Sequence, residues 1–276
     1  MEISAGYRKR WLGIDFSGDY RKWSPGCGNS HVWIADVRRE DQFVLRDLKT
    51  VQGLPGSGAP FLRLCELLKS RNFDAAGLDA PFSVPMEYMS SGGHHRLLEI
   101  VSKTERLENP WFPSANDFRS SVLAGRVLDK KPFRETEKYW TRPNLNPRST
   151  LWDKARSGAA MTSACLTLLQ QAQCPIWPWH PAGSAGLLVE AFPAAQLCYW
   201  GDLPYYGYSR NGTKALNNRR KIVEFLSKYI ALNEAKSQTM ENSADALDAV
   251  ICAFAAIAVT TGCVFEPRRR PPKEEA

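Results

Sequence analysis

The chain has 276 residues, 43% of them hydrophobic, and a formal net charge of +7. That length and composition exclude a disulfide-stapled miniprotein and a largely disordered chain, and they permit one large core. The charge suits a polyanionic partner without identifying one.

Residues 10–18, RWLGIDFSG, read as a first β-strand. Side chains alternate along a strand, so Leu12, Ile14 and Phe16 form an apolar face while Gly13, Asp15 and Ser17 form the other. An acid set among apolar residues is costly unless it is paired or bound to a cation. Residues 30–37 and 42–48 read as two further strands joined by a charged turn, completing a meander. The glycine-rich stretch 53–60, GLPGSGAP, lacks the lysine and following hydroxyl of a phosphate-binding loop and reads as a connector. A helix is predicted over 61–71 from the spacing of Leu62, Cys65 and Leu68.

Residues 73–80, FDAAGLDA, repeat the design of the first strand. Gly77-Leu78-Asp79 matches Gly13-Ile14-Asp15, and Pro81 ends the strand. If the two strands are neighbours, two carboxylates meet, which is a site for hard cations that prefer oxygen ligands.

From residue 96 to 156 the chain carries 13 Lys/Arg against 8 Asp/Glu, interleaved with Trp111, Phe112, Phe118, Phe133, Tyr139, Trp140 and Trp152. This basic, mainly helical insertion, about 90–156, suits phosphate tracking and base stacking, with Arg119, Arg126, Arg134 and Arg142 as candidate nucleic-acid contacts. The competing reading is a helical cap whose aromatics are its own core and whose charges are solvated, and for the aromatics it is the stronger of the two.

A helix is predicted over 151–172, then a strand over 186–192 with Glu190 in its middle. A short helix, a Tyr/Gly-rich loop over 205–212 and a basic helix over 214–232 follow. That helix has Ile222, Phe225, Leu226 and Ile230 as its stripe and Lys214, Arg219, Arg220, Lys221 and Lys228 as a solvated face. Residues 242–259 read as a buried helix with a polar, capping start. Asp245 and Asp248 are three apart and share one face. Ala249, Cys252 and Ala256 continue that face with small side chains, which allows close approach to a sheet.

The seven cysteines are scattered, without a C-x-x-C pair, and predict reduced thiols in a cytoplasmic protein. The histidines have no standard zinc spacing. The first residues lack an apolar signal core, and the longest apolar run, 249–259, is too short to span a bilayer, so no membrane partner is expected. Residues 263–276 read as a disordered basic tail on a single domain spanning 1–262.

In order, the motifs GIDFSG, GLDAPFS, VEAFP and ADALDAV resemble those of the domain of unknown function 429 family, over roughly residues 11–259. The resemblance implies an RNase H-like α/β fold of the RuvC type, with a five-stranded mixed sheet in the order 3-2-1-4-5 flanked by helices. It also implies that the strands bearing Asp15 and Asp79 are adjacent, with the last helix across them.

Such a site suits hydrolysis of nucleic-acid phosphodiesters, DNA or RNA, with two Mg²⁺ or Mn²⁺ ions. Asp15 is then the bridging ligand, while Asp79 and Asp248 each hold one ion. Asp245 and Glu190 supply a fourth ligand and an outer orienting group, in either order. No nucleophile elbow competes. Two alternatives stand beside the nuclease. One is a non-catalytic nucleic-acid or partner-binding module on the same fold. The other is an actin-like ATP-dependent phosphotransferase, which would need a second glycine-rich phosphate loop that residues 186–192 do not offer.

Overall fold

A computed structural model describes residues 9–28, 31–141, 145–154 and 157–264. Arg142 and residues 265–276 of the predicted tail lie outside the described residues.

The alternation in the first stretch builds the central strand, β1 (Arg10–Asp15). It pairs antiparallel with β2 (Trp33–Arg39), which pairs antiparallel with β3 (Phe43–Thr50). Helix α1 (Pro60–Lys69) then crosses back, and β4 (Ala75–Asp79) lies parallel to β1 on its other side. Helices α2 (Gly93–Lys103), α3 (Ala115–Leu123), α4 (Glu135–Trp140) and α5 (Ala159–Ala172) follow. Strand β5 (Leu187–Glu190) adds parallel to β4. Helices α6 (Pro193–Tyr199) and α7 (Thr213–Leu226), the two-residue β6 (Ile230–Ala231), α8 (Glu234–Asn242) and α9 (Ala244–Thr261) complete the chain.

The result is a mixed α/β fold with a six-stranded sheet in the order β5-β4-β1-β2-β3-β6, flanked by helices. The predicted five strands are one short. Ile230, expected on the stripe of a basic helix, instead sits in β6 and pairs with Phe43 at the outer edge of β3. The predicted helix over 151–172 likewise starts later, at Ala159. The backbone of Gly158 packs against the carbonyl of Ser149 and leaves no room for a Cβ.

Each face of the sheet has its own core. Leu12, Ile14, Phe16, Ile34, Leu78 and Leu188 pack against α1, α2, α3 and α5. Full burial of a side chain such as Leu12, Ile14 or Leu78 contributes about 2 kcal/mol. Phe112, Phe118 and Leu151 of the basic insertion belong to this same core, and the Phe112 ring packs at a tilt against Phe61 of α1 with ring centroids 5.4 Å apart. These aromatics are therefore structural, and the insertion is packed into the domain.

On the other face Trp11, Ala35, Val37, Ala75 and Val189 meet α6, α7 and α9. By length and composition α9 is apolar enough to cross a bilayer, but here it is the buried helix laid over β1 and β4. Ser243 caps its start by accepting from the Ala246 N–H at 3.1 Å, and Gly262, with φ of 74°, ends it in the left-handed conformation that glycine tolerates. The seven cysteines are free thiols.

Candidate metal centre

In the parallel pair, Gly13 stands opposite Gly77 and Asp15 opposite Asp79. Both glycines lie directly beneath α9. A Cβ at 13 would overlap the carbonyl oxygen of Ala249, and one at 77 that of Cys252. The strands thus allow the α9 backbone to rest on them, which brings the first turns of the helix over the two acids. Asp15, Asp79 and Asp248 each offer a carboxylate oxygen, and the three atoms lie within 4.8 Å of one another.

The cluster is poorly hydrated. Asp15 and Asp248 are 8% and 9% exposed, and the carboxylates of Asp15 and Asp79 have no hydrogen bond or ion pair among the described residues. Burial pushes Asp15 well above the usual carboxylate range, and the charges of Asp79, Asp248 and Asp245 push it further. Asp79 is raised to about 7, chiefly by burial, with Arg148 opposing and Glu190 and Asp245 adding. Asp248 is raised by burial and by Asp79, against a hydrogen bond from Tyr208. The three acids repel one another, and among the described residues no side-chain cation is bonded to them. A hard divalent cation fits such an all-oxygen donor set and would replace the protons that the cluster otherwise retains.

Asp245 sits at the rim. It lies close enough to raise the three buried acids, but its own carboxylate pairs with Nδ1 of His31, ahead of β2.

Glu190 is not brought into the cluster. In the β4–β5 pair it stands opposite Leu78, so strand alternation turns it to the face away from Asp79. There it accepts from the Phe82 N–H at 2.8 Å and from both terminal nitrogens of Arg134, at 2.8 and 2.5 Å. Arg134 is 3% exposed and also donates to Glu137 at 2.8 Å and Ser83 at 3.1 Å. A phosphate cannot reach it without breaking this network.

Arg119 and Arg126 are also engaged. Arg119 donates to the Leu151 carbonyl at 2.8 Å and pairs with Asp153. Arg126 donates to the carbonyls of Leu123, Glu87 and Tyr88, and its guanidinium lies 5.1 Å from the Tyr88 ring centre. Arg119, Arg126 and Arg134 therefore hold the insertion together.

A family model described as a protein of unknown function, DUF429, matches residues 28–276. The chain belongs to this family. No curated protein and no solved structure matches it. The DUF429 match covers Asp79, Asp245 and Asp248, whereas β1 and Asp15 precede it.

Four further residues complete the surroundings of the DUF429 cluster. Tyr208, in the loop between α6 and α7, donates its hydroxyl to Asp248 Oδ1 at 2.7 Å. Arg219, expected on a solvated helix face, is instead buried and binds the carbonyls of Tyr208 and Glu241, each at 2.6 Å. Arg148, exposed on the loop before α5, is near enough to pull Asp79 downward. His31 caps the rim through Asp245. No motif marks any of the four, and only their nearness in the fold brings them to the site.

Proposed function

We propose that this DUF429 protein is a metal-dependent nuclease on an RNase H-like fold, hydrolysing nucleic-acid phosphodiesters by a two-metal-ion mechanism with Mg²⁺ or Mn²⁺. One observation carries the reading. Carboxylates from three separate elements, β1, β4 and α9, converge within 4.8 Å at the carboxyl ends of two parallel strands, with no cationic side chain bonded to them among the described residues. A fold does not hold three mutually repelling, largely buried acids together cheaply, and a bound cation removes that cost.

When bound, such ions would activate a water and stabilise the charge that develops on the phosphate. The chain's own contribution is placement. Asp15, on the central strand and opposite Asp79, would be the shared ligand, with Asp79 and Asp248 each holding one ion. Asp245, tied to His31, borders the opening. Arg148 supplies positive charge on the side of Asp79, where an approaching phosphate would otherwise meet only carboxylates.

The test is a cleavage panel of single-stranded, duplex and branched DNA and RNA, with Mg²⁺, Mn²⁺ or EDTA. Cleavage that requires the metal and vanishes in Asp15→Asn, Asp79→Asn and Asp248→Asn is the expected result. Metal binding without cleavage of any substrate would leave the non-catalytic module as the better reading.

A further inference from the structure

Asp248 differs from the other two acids of the cluster in having a protein partner, and that partner is neutral. The Tyr208 hydroxyl reaches Asp248 Oδ1 at 2.7 Å, and Tyr208 is 4% exposed, so water does not compete for the bond. A lysine or arginine in that place would form an ion pair and repel a cation. A hydroxyl fixes the plane of the carboxylate and leaves its charge for a metal.

The loop that carries Tyr208 is itself anchored. Arg219 of α7, 8% exposed, donates through Nη1 to the carbonyls of Tyr208, at 2.6 Å, and Arg210, at 3.2 Å. Through Nε it donates to the carbonyl of Glu241 at 2.6 Å, two residues before the Ser243 cap of α9. One guanidinium therefore ties the tyrosine loop to the segment that delivers Asp245 and Asp248.

We propose that Tyr208 is a positioning residue of the metal centre, orienting Asp248 for a divalent cation, and that Arg219 holds it in register. This rests on the metal-centre reading above. It assigns work to a loop that no acidic motif marks, and it makes cation affinity depend on a neutral residue outside the carboxylate set.

The experiment is Mn²⁺ titration of the full chain by calorimetry, with far-UV circular dichroism to verify folding. Tyr208→Phe keeps the ring and removes only the hydroxyl, and it is expected to weaken Mn²⁺ binding by about tenfold, the usual scale for losing a partner of a ligating carboxylate. In an Asp248→Asn background the same change is expected to have almost no effect, because the two residues act through one contact. Arg219→Lys is expected to weaken binding in the parent chain and to add nothing to Tyr208→Phe. Wild-type affinity in folded Tyr208→Phe, or equal losses in both backgrounds, overturns the proposal. If Tyr208→Phe does not fold, Arg219→Lys decides, and wild-type affinity there overturns it as well. Absence of Mn²⁺ binding by the wild-type chain would instead bring down the metal centre itself, and this proposal with it.

Discussion

Gly13 and Gly77 face each other across the parallel β1–β4 pair, and the backbone of α9 rests on both. Each lies two residues before an acid on the same strand face, so the contact that seats the helix also sets the height at which Asp248 meets Asp15 and Asp79. Gly77→Ala would drive a methyl group into the Cys252 carbonyl, which belongs to a helix backbone and cannot swing aside as a side chain would. The expected cost is about 3 kcal/mol or more, with a fall in melting temperature of roughly 2–4 °C per kcal/mol for a chain of this size. Thermal melts read it directly, and an unchanged melting temperature would show that α9 does not bear on β4.

Asp15→Asn is expected to act oppositely on stability. Three neighbouring acids and burial all disfavour the Asp15 carboxylate, so a neutral isostere relieves the metal-free protein. Its melting temperature in EDTA should hold or rise while metal-dependent cleavage is lost. Unfolding of Asp15→Asn would make the residue structural and remove it from the proposed chemistry.

The sequence carries the core of this site because two of its signals are local. The strand period of two places Gly13 with Asp15 and Gly77 with Asp79, and the helical period places Asp245, Asp248, Ala249 and Cys252 together. Glu190 is harder to place from the sequence, although its same-face neighbour Leu188 indicates an apolar side of the sheet. Arg134, Arg119 and Arg219 look like surface charge in the sequence because their partners lie far along the chain. Helix α8 is not legible in the sequence because its segment, EAKSQTMEN, buries only Met240 and so has no apolar stripe. Strand β6 has two residues and too little pattern to show a period.

The acid cluster also sets a pH dependence. A carboxyl whose native pKa lies above its unfolded value binds its proton more tightly in the folded chain. Its contribution to stability is greatest below the unfolded value of 3.8 and falls as pH rises toward the native value, about 7 for Asp79. Removing that carboxylate should therefore help more as pH increases. In EDTA, the melting-temperature advantage of Asp79→Asn over wild type is expected to grow from pH 4 to pH 7 and then level off. Saturating Mn²⁺ should reverse it, since only the intact cluster gains from the cation. An advantage that stays constant across this range would mean that Asp79 is not strained by its surroundings.

Arg134→Ala tests the network on the other face of the sheet. It leaves Glu137, 5% exposed, and Glu190 without their shared cation. Loss of one partner from a buried ion pair costs about 3–5 kcal/mol, which urea denaturation should report. The salt dependence of nucleic-acid binding should not move, because the guanidinium is closed off from phosphate. A flattened salt slope in a fully stable Arg134→Ala variant would contradict the structural role.

Under the proposed function, attraction of substrate would fall instead to Arg148. A carboxylate cluster repels phosphate until it is neutralised, so a nuclease of this kind needs positive charge at the mouth of the site. Arg148 meets that need: it is exposed, and it acts on Asp79 strongly enough to oppose the effect of burial. Arg148→Gln is expected to weaken binding of defined oligonucleotides. It should also lower the slope of log affinity against log salt by about 0.9 for a duplex or 0.7 for a single strand, the loss of one phosphate contact. The same change removes a positive charge that draws Asp79 downward, so the pH at which Mn²⁺ binding reaches half its limit should rise. Arg119→Gln serves as the control, since its guanidinium is spent on Leu151 and Asp153 and its loss should leave the slope alone. Equal slopes in Arg148→Gln and wild type would show that no phosphate lies against Arg148, and the approach of the substrate would have to be sought on another side of the cluster.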